Sequence, residues 1–343
     1  MIARQNMLDG IADLERGDWP QALSNFDKAI LIRTATPWRE SPESAWLLAA
    51  AWINRADAFR FLNHPNDAIR DLDQAIDAMQ HVPVRENLIY LNRLILAWIN
   101  RATILGDLAR TTEAISDFET AQSLLITPLP PDQFVLAATL HSNRSRLNLD
   151  IGLIQEGLKD AQRSVELFNQ IQADKSVAEP SLRSRAILCR ALALLLDTPK
   201  GGKLIEDWIA LATDTIEDAL STAKKFSYQG KLLGDLVRYG AKIYATCQPH
   251  FLREYLLDCL TLPNILSHDP GLVDDLRREI KLAIENVGRH LRRNYSNPPI
   301  VVSAIQTLND LKLADKGVLQ RDLAVKSVSD MIYGIDSSPR DSK

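Results

Sequence analysis

Ala51–Ala56, which reads AWINRA, returns letter for letter at Ala97–Ala102, a shift of 46 positions. The same shift carries Ala68-Ile69 onto Ala114-Ile115, Asp71 onto Asp117, Leu72 onto Phe118 and Ala75 onto Ala121. An offset held over so long a stretch means that two consecutive helices repeat as a unit. The small residues Ala56, Ala68 and Ala75 mark where two helix backbones cross closely, while Trp52, Phe59 and Leu72 fill the space between stacked hairpins.

Two further copies fall on the same grid. Upstream lie Gly10, Gly17-Asp18-Trp19, Ala22, Phe26 and Ala29; downstream lie Asn143-Arg144-Ser145, Gly157, Ala161 and Ser164. The pattern of Trp, Gly or Ala, aromatic, Ala, Phe and Ala resembles the tetratricopeptide repeat. That resemblance implies an all-α fold, an α-α superhelix of helical hairpins acting as a protein-binding scaffold. The units are spaced by 46, 46 and 43 positions, whereas a plain tetratricopeptide unit has about 34. The apolar periodicity of Glu86–Leu108, with Leu88, Leu91, Leu94, Leu96 and Trp98, predicts that the extra length goes into the helices.

Punctuation agrees with this division. Arg33–Pro42 breaks the first unit from the second, and Ser41-Pro42-Glu43-Ser44 offers a capped helix start. Asn63-His64-Pro65-Asn66 reads as a turn inside the second unit, and Val82-Pro83-Val84 and Pro128–Pro131 as separators. Residues 1–175 are expected to hold the four repeats. Residues 181–335 are expected to form a helical carboxy-terminal region, either degenerate repeats or a cap over the last apolar face. Its helix candidates are a strongly apolar stretch after Pro180, then Leu204–Phe226, Leu232–Cys247, Leu252–Leu260, Gly271–Arg293, Ile300–Leu311 and Lys316–Tyr333. Arg238-Tyr239-Gly240-Ala241 echoes the first helix of a repeat, and residues 336–343 read as a disordered tail.

The chain has 343 residues, 46% hydrophobic and 24% charged, which suits a soluble globular protein with a continuous core. No run of eighteen apolar residues occurs and Met1–Trp19 carries acids, so neither a membrane span nor a signal peptide is expected. The three cysteines, Cys189, Cys247 and Cys259, are far apart in apolar helical context and read as buried thiols in a reducing cytoplasm. Residues 1–180 carry a formal charge of −7 and residues 181–343 one of +3. That asymmetry falls short of the basic excess of a dedicated nucleic-acid binder.

The candidate binding residues lie in the repeated first helix. Asn54, Asn100 and Asn143 share one position, each followed by an arginine (Arg55, Arg101, Arg144) and a small residue. In a superhelix the first helices line the concave face, where a row of amides can hydrogen-bond an extended peptide. In the tetratricopeptide family this asparagine position contributes to peptide grooves, and Ile53, Asp57, Ile99, Thr103, Ser142 and Arg146 are the neighbouring inner positions here. The alternative is that the asparagines bond between adjacent helices while the arginines fill surface slots. No lysine-rich clamp of the kind that grips carboxylate termini is present.

A second candidate is the helix 272–293, where Arg277, Arg278, Lys281, Arg289, Arg292 and Arg293 gather on the outside of an apolar stripe. Such a stripe suits an acidic peptide tail, a phosphate backbone or an anionic membrane surface. The alternative is a solvated face whose end charges match the helix dipole, with Asp274 and Asp275 at the other end. Catalytic patterns are missing. The six histidines are scattered, Gly201-Gly202-Lys203 lacks the upstream glycine of a phosphate loop, and no cofactor or metal site is expected.

A narrower resemblance is to kinesin light chains, whose lengthened repeats of just over forty residues carry asparagine at the position of Asn54, Asn100 and Asn143. Bacterial kinesin-light-chain-like proteins are encoded beside bacterial tubulins, and the resemblance implies a tubulin-like filament protein as partner. No heptad coiled coil is seen in front of the repeats, and arginine stands where leucine usually follows the asparagine. The competing class is a regulatory solenoid that senses a signalling peptide. Members that control DNA directly usually begin with a helix-turn-helix, and none is read ahead of the first repeat.

Overall fold

The computed structural model describes residues 2–171, 175–198 and 230–247, with the single residues 214, 216, 278 and 282. Among these residues every regular element is helical. Eight helices cover the amino-terminal half: α1 Ile2–Arg16, α2 Trp19–Thr34, α3 Pro42–Phe61, α4 Pro65–Met79, α5 Leu88–Asp107, α6 Thr111–Leu124, α7 Phe134–Asp150 and α8 Ile154–Phe168. Two more follow, α9 Lys175–Leu195 and α10 Gly230–Cys247. The chain divides into two compact units, one of residues 1–151 with 166–171, the other of residues 152–165 with 172–343.

In the first unit α1 and α2, α3 and α4, and α5 and α6 are antiparallel hairpins, and each second helix also packs on the next first helix. First helices α1, α3, α5 and α7 lie side by side in one layer, and α2, α4 and α6 form the other. This is a helical-repeat solenoid. The extra residues of the long units go into α3 and α5, each 20 residues, and into single 3-10 turns at Trp38–Glu40, Val84–Glu86 and Pro131–Gln133.

Local chemistry sets the element ends. The Ser41 hydroxyl accepts from the Ser44 amide at 3.2 Å and Pro42 occupies the first helical position of α3. Asp18 caps α2 in the same way through the Gln21 amide. Gly17 has φ +77°, a left-handed conformation that glycine adopts without strain. Gly10 is needed for a different reason, since a Cβ there would lie 2.6 Å from the Phe26 ring. The hairpin crossing therefore closes onto a bare backbone.

The core runs continuously through the layers. Phe26, Leu48, Ile53, Leu72, Ile95, Ile99, Phe118 and Leu140 are fully enclosed, with Ala56, Ala68, Ala75, Ala102, Ala114 and Ala121 at the crossings. Trp52 is buried and meets Trp38 edge-on with ring centroids 6.1 Å apart. Of the described helices only α5 has the length and composition of a membrane span. It packs between α4, α6 and α7 and sends Leu91, Ile95, Ile99, Ile104 and Leu105 into the core.

In the second unit α9 and α10 pack together, with Leu188, Leu192, Leu236, Val237 and Ala241 enclosed. The helix expected after Pro180 starts at Lys175, so Pro180 lies inside it. As the sixth residue of the helix it lies past the first turn, so its ring removes the i→i−4 hydrogen bond that an amide there would donate to Ser176. Cys189 is buried as expected, and burial pushes its thiol up to about 12. The side chain of Cys247 and all of Cys259 lie outside the described residues, as do the helices expected over 204–226 (apart from 214 and 216), 252–260, 300–311 and 316–333 and the tail 336–343.

Candidate binding face

The layer of first helices carries a row of polar groups in register. Asn100 of α5 donates to Asp57 of α3 at 3.4 Å, and Asn143 of α7 donates to the Thr103 hydroxyl of α5 at 3.0 Å. Thr103 in turn donates to the Ile99 carbonyl, and Arg146 of α7 pairs with Asp107 of α5 at 2.6 Å. Apart from the Thr103–Ile99 bond within α5, each link joins a first helix to the one before it. Asn100 and Asn143 thus bond between adjacent first helices, the alternative to a free row of amides. All of these side chains except Asp107 are half-buried, and Asp107 is exposed. Asn54 differs: it has no hydrogen-bond partner among the described residues.

Asp57 is the least comfortable charge in the row. Burial pushes its carboxyl up to about 6, against the pull of Arg60 and Arg93. The nearest cation is Arg60, whose Nε lies 3.9 Å away. Arg93 of α5 is half-buried, and its pKa is lowered by burial with Asp57 acting the other way.

Three expected inner positions do not belong to this face. Ile53 and Ile99 are fully enclosed in the core. Successive helical residues point about 100° apart, so a residue beside an outward asparagine turns into the hairpin. Ser142 stands in the same register and is likewise buried, with its hydroxyl unpartnered. The basic helix 272–293 lies outside the described residues except for Arg278 and Leu282, which are helical. Arg277, Lys281, Arg289, Arg292 and Arg293 are not described.

Two of the three arginines after the asparagines, Arg55 and Arg101, hold buried aspartates. Arg55 donates through Nε and Nη2 to both oxygens of Asp71 at 2.7 and 2.6 Å, and through Nη1 to Asp27 at 2.7 Å. Arg101 repeats the arrangement with Asp117, at 2.7 and 2.8 Å, and Asp73, at 2.5 Å. One guanidinium thus ties its own hairpin to the second helix of the hairpin before. Burial alone would lower the Arg55 pKa, but hydrogen bonds and attraction from Asp71 and Asp27 carry it above the ordinary arginine value. For Arg101 the hydrogen bond to Asp117 leads the same upward shift. The signal was present in the sequence, because Asp27 recurs as Asp73 under the shift that carries Asp71 onto Asp117. The first unit has a polar variant in which Asn25, at the register of Asp71, donates to buried Asp13 at 2.8 Å.

Beside Arg101 a cavity of about 310 Å³ opens, lined by Asp73, Leu105, Arg110, Glu113 and Asp117 among others. Leu105 stands where Phe59 stands one unit earlier, and the Phe59 ring lies beneath the Arg55 guanidinium at 5.6 Å. Among the described residues no group of three or more His, Cys, Asp or Glu side chains is placed to hold a metal.

No protein-family model matches the chain, and no curated protein matches it. Solved structures do. The apo form of the quorum sensor NprR from B. thuringiensis is similar over 90% of this chain and 75% of its own, with 16% identity and a TM-score of 0.54. The apo form of RapI is similar over 85% of this chain and 100% of its own, with 11% identity and a TM-score of 0.50. The Rap conjugation gene regulator of the plasmid pLS20, solved with a Phr peptide, aligns over 95% of this chain and 75% of its own, with 11% identity and a TM-score of 0.49. At such identities the likeness is one of fold. The chain has the fold of a tetratricopeptide-like helical-repeat solenoid with a helical carboxy-terminal extension.

Proposed function

We propose that this protein is a regulatory solenoid that binds a peptide along its layer of first helices. The observation that carries the reading is the row of Asn54, Asp57, Asn100, Thr103, Asn143 and Arg146, half-buried polar groups in helical register along α3, α5 and α7. Asparagine side chains set one repeat apart present donors and acceptors that an extended backbone can use. Further support comes from the fold likeness to NprR, described as a quorum sensor.

The kinesin-light-chain reading, with a tubulin-like filament as partner, rests on the long repeats and on the asparagine position. Both features also fit a peptide sensor, and the fold likeness to a quorum sensor favours that sensor. We place the protein in the cytoplasm as a binding protein without catalytic activity, with no cofactor. Membrane attachment through 272–293 would appear as salt-sensitive pelleting with anionic vesicles.

The test is affinity capture from native extract on the full chain and on an Asn54→Ala, Asn100→Ala, Asn143→Ala triple variant, with bound peptides and proteins read by mass spectrometry. A peptide recovered on wild type and lost on the folded variant supports the reading. Equal recovery on both moves the interface off this face. A filament protein of the tubulin class lost on the variant replaces the sensor reading with the other.

A further inference from the structure

The row is not uniform along its length. Asn100 reaches Asp57 on the first helix before it, and Asn143 reaches Thr103 likewise. One unit back, the acceptor register of Asp57 and Thr103 falls on Ile11, and the asparagine register falls on Leu8. Both are on α1, which packs beside α3. Both stay open to solvent, Leu8 at 52% and Ile11 at 37%. Asn54 is therefore the one asparagine of the row whose expected acceptor is a hydrocarbon, and it is the one without a partner among the described residues.

We infer that this end of the row is a subsite for one apolar side chain of an extended peptide, with the Asn54 amide pairing to the peptide backbone beside it. The inference rests on the peptide-binding reading above and names the chemistry at one end of it. An unpartnered amide on α3, with exposed Ile11 and Leu8 at the matching registers of α1, asks for two things in one ligand: a backbone donor or acceptor, and a hydrocarbon. Water satisfies the first and leaves the second exposed. An extended peptide supplies both within one residue, since its side chains project to alternate sides while its backbone offers an N–H and a C=O. Toward α7 the row changes character, with Arg146 and Asp107 ion-paired and Asn143 already engaged. The row thus has a direction, apolar at α1 and polar at α7, and the peptide lies on it one way round.

A mixture of free-ended synthetic pentapeptides, randomised at every position, is passed over the immobilised full chain and the retained peptides are sequenced. Wild type is expected to enrich Leu, Ile, Val or Phe at one fixed position by about tenfold over Ser or Asp, the order of selectivity a hydrophobic pocket provides. Leu8→Asp and Ile11→Asp remove that preference, and Ile11→Ser does so where aspartate perturbs α1. Asn143→Ala lowers total recovery and keeps the preference. If wild type retains no peptide, the peptide-binding reading falls and this inference with it. If peptides are retained and the apolar preference survives all three α1 variants, only this inference falls. Sedimentation closes the remaining route: a wild-type dimer that becomes a monomer in Leu8→Asp makes the patch an interface between copies and overturns the subsite.

Discussion

Arg55 and Asp71 form a two-pronged pair, Nε and Nη2 of the guanidinium on the two carboxylate oxygens at 2.7 and 2.6 Å. Sixteen positions separate them in sequence, and the same pair recurs one unit later as Arg101 and Asp117. Asp71 is 5% exposed at its side chain and Asp27, the third member, 52%. That contrast sets what each bond is worth.

Removing the guanidinium strands a buried carboxylate. Arg55→Met is expected to lose about 3–5 kcal/mol of stability, the cost of breaking a buried pair by one partner. Arg55→Lys recovers little of it, because an ammonium cannot make the planar two-pronged contact. Asp27→Ala costs under about 1 kcal/mol, as for solvent-exposed pairs. Urea unfolding of the three variants checks the ranking; equal losses for Arg55→Met and Asp27→Ala would refute it.

Gly10→Ala tests the first crossing. Alanine favours helix by about 1 kcal/mol, yet the added Cβ meets the Phe26 ring at 2.6 Å. Overpacking of this kind costs roughly 1–3 kcal/mol, so the variant is expected to melt lower than wild type. A higher melting temperature would show that the ring moves aside freely.

Trp52→Ala removes a buried indole that packs against Trp38. The expected loss is about 3–5 kcal/mol, a large part of the roughly 5–15 typical of a folded domain. An unchanged thermal midpoint would contradict the packing.

The Asp57 carboxyl gives stability a pH dependence of known sign. Its pKa is raised in the folded protein to about 6, so between the ordinary carboxylate range and about 6 the folded state holds a proton that the unfolded chain has released. Stability therefore falls as pH rises through that window and is lowest above it. With 31% of the side chain exposed, solvent screening reduces the effect to about 1 kcal/mol. Asp57→Asn is expected to flatten the profile and gain stability at pH 7. A profile from pH 4.5 to 8 that is parallel for both proteins would disprove the assignment.

The sequence by itself determined the helical-repeat fold. Ala56, Ala68 and Ala75 recur at fixed spacing because close backbone crossings admit only small side chains, and that requirement is local enough to be written as periodicity. It also placed Asn54, Asn100 and Asn143 in one register, and the cap at Ser41. Tertiary structure decided what each register faces. Ile53 and Ile99, adjacent in sequence to outward asparagines, turn into the core because consecutive helical residues diverge by about 100°. Arg55 shows its role only when α2, α3 and α4 are brought together, since its two partners lie on different hairpins. Asn54 is left unpartnered among the described residues, and in the helix packed before it the register of Asp57 and Thr103 falls on Ile11. Whether a polar side chain is satisfied depends on the neighbour across the layer, and only the folded chain supplies that neighbour.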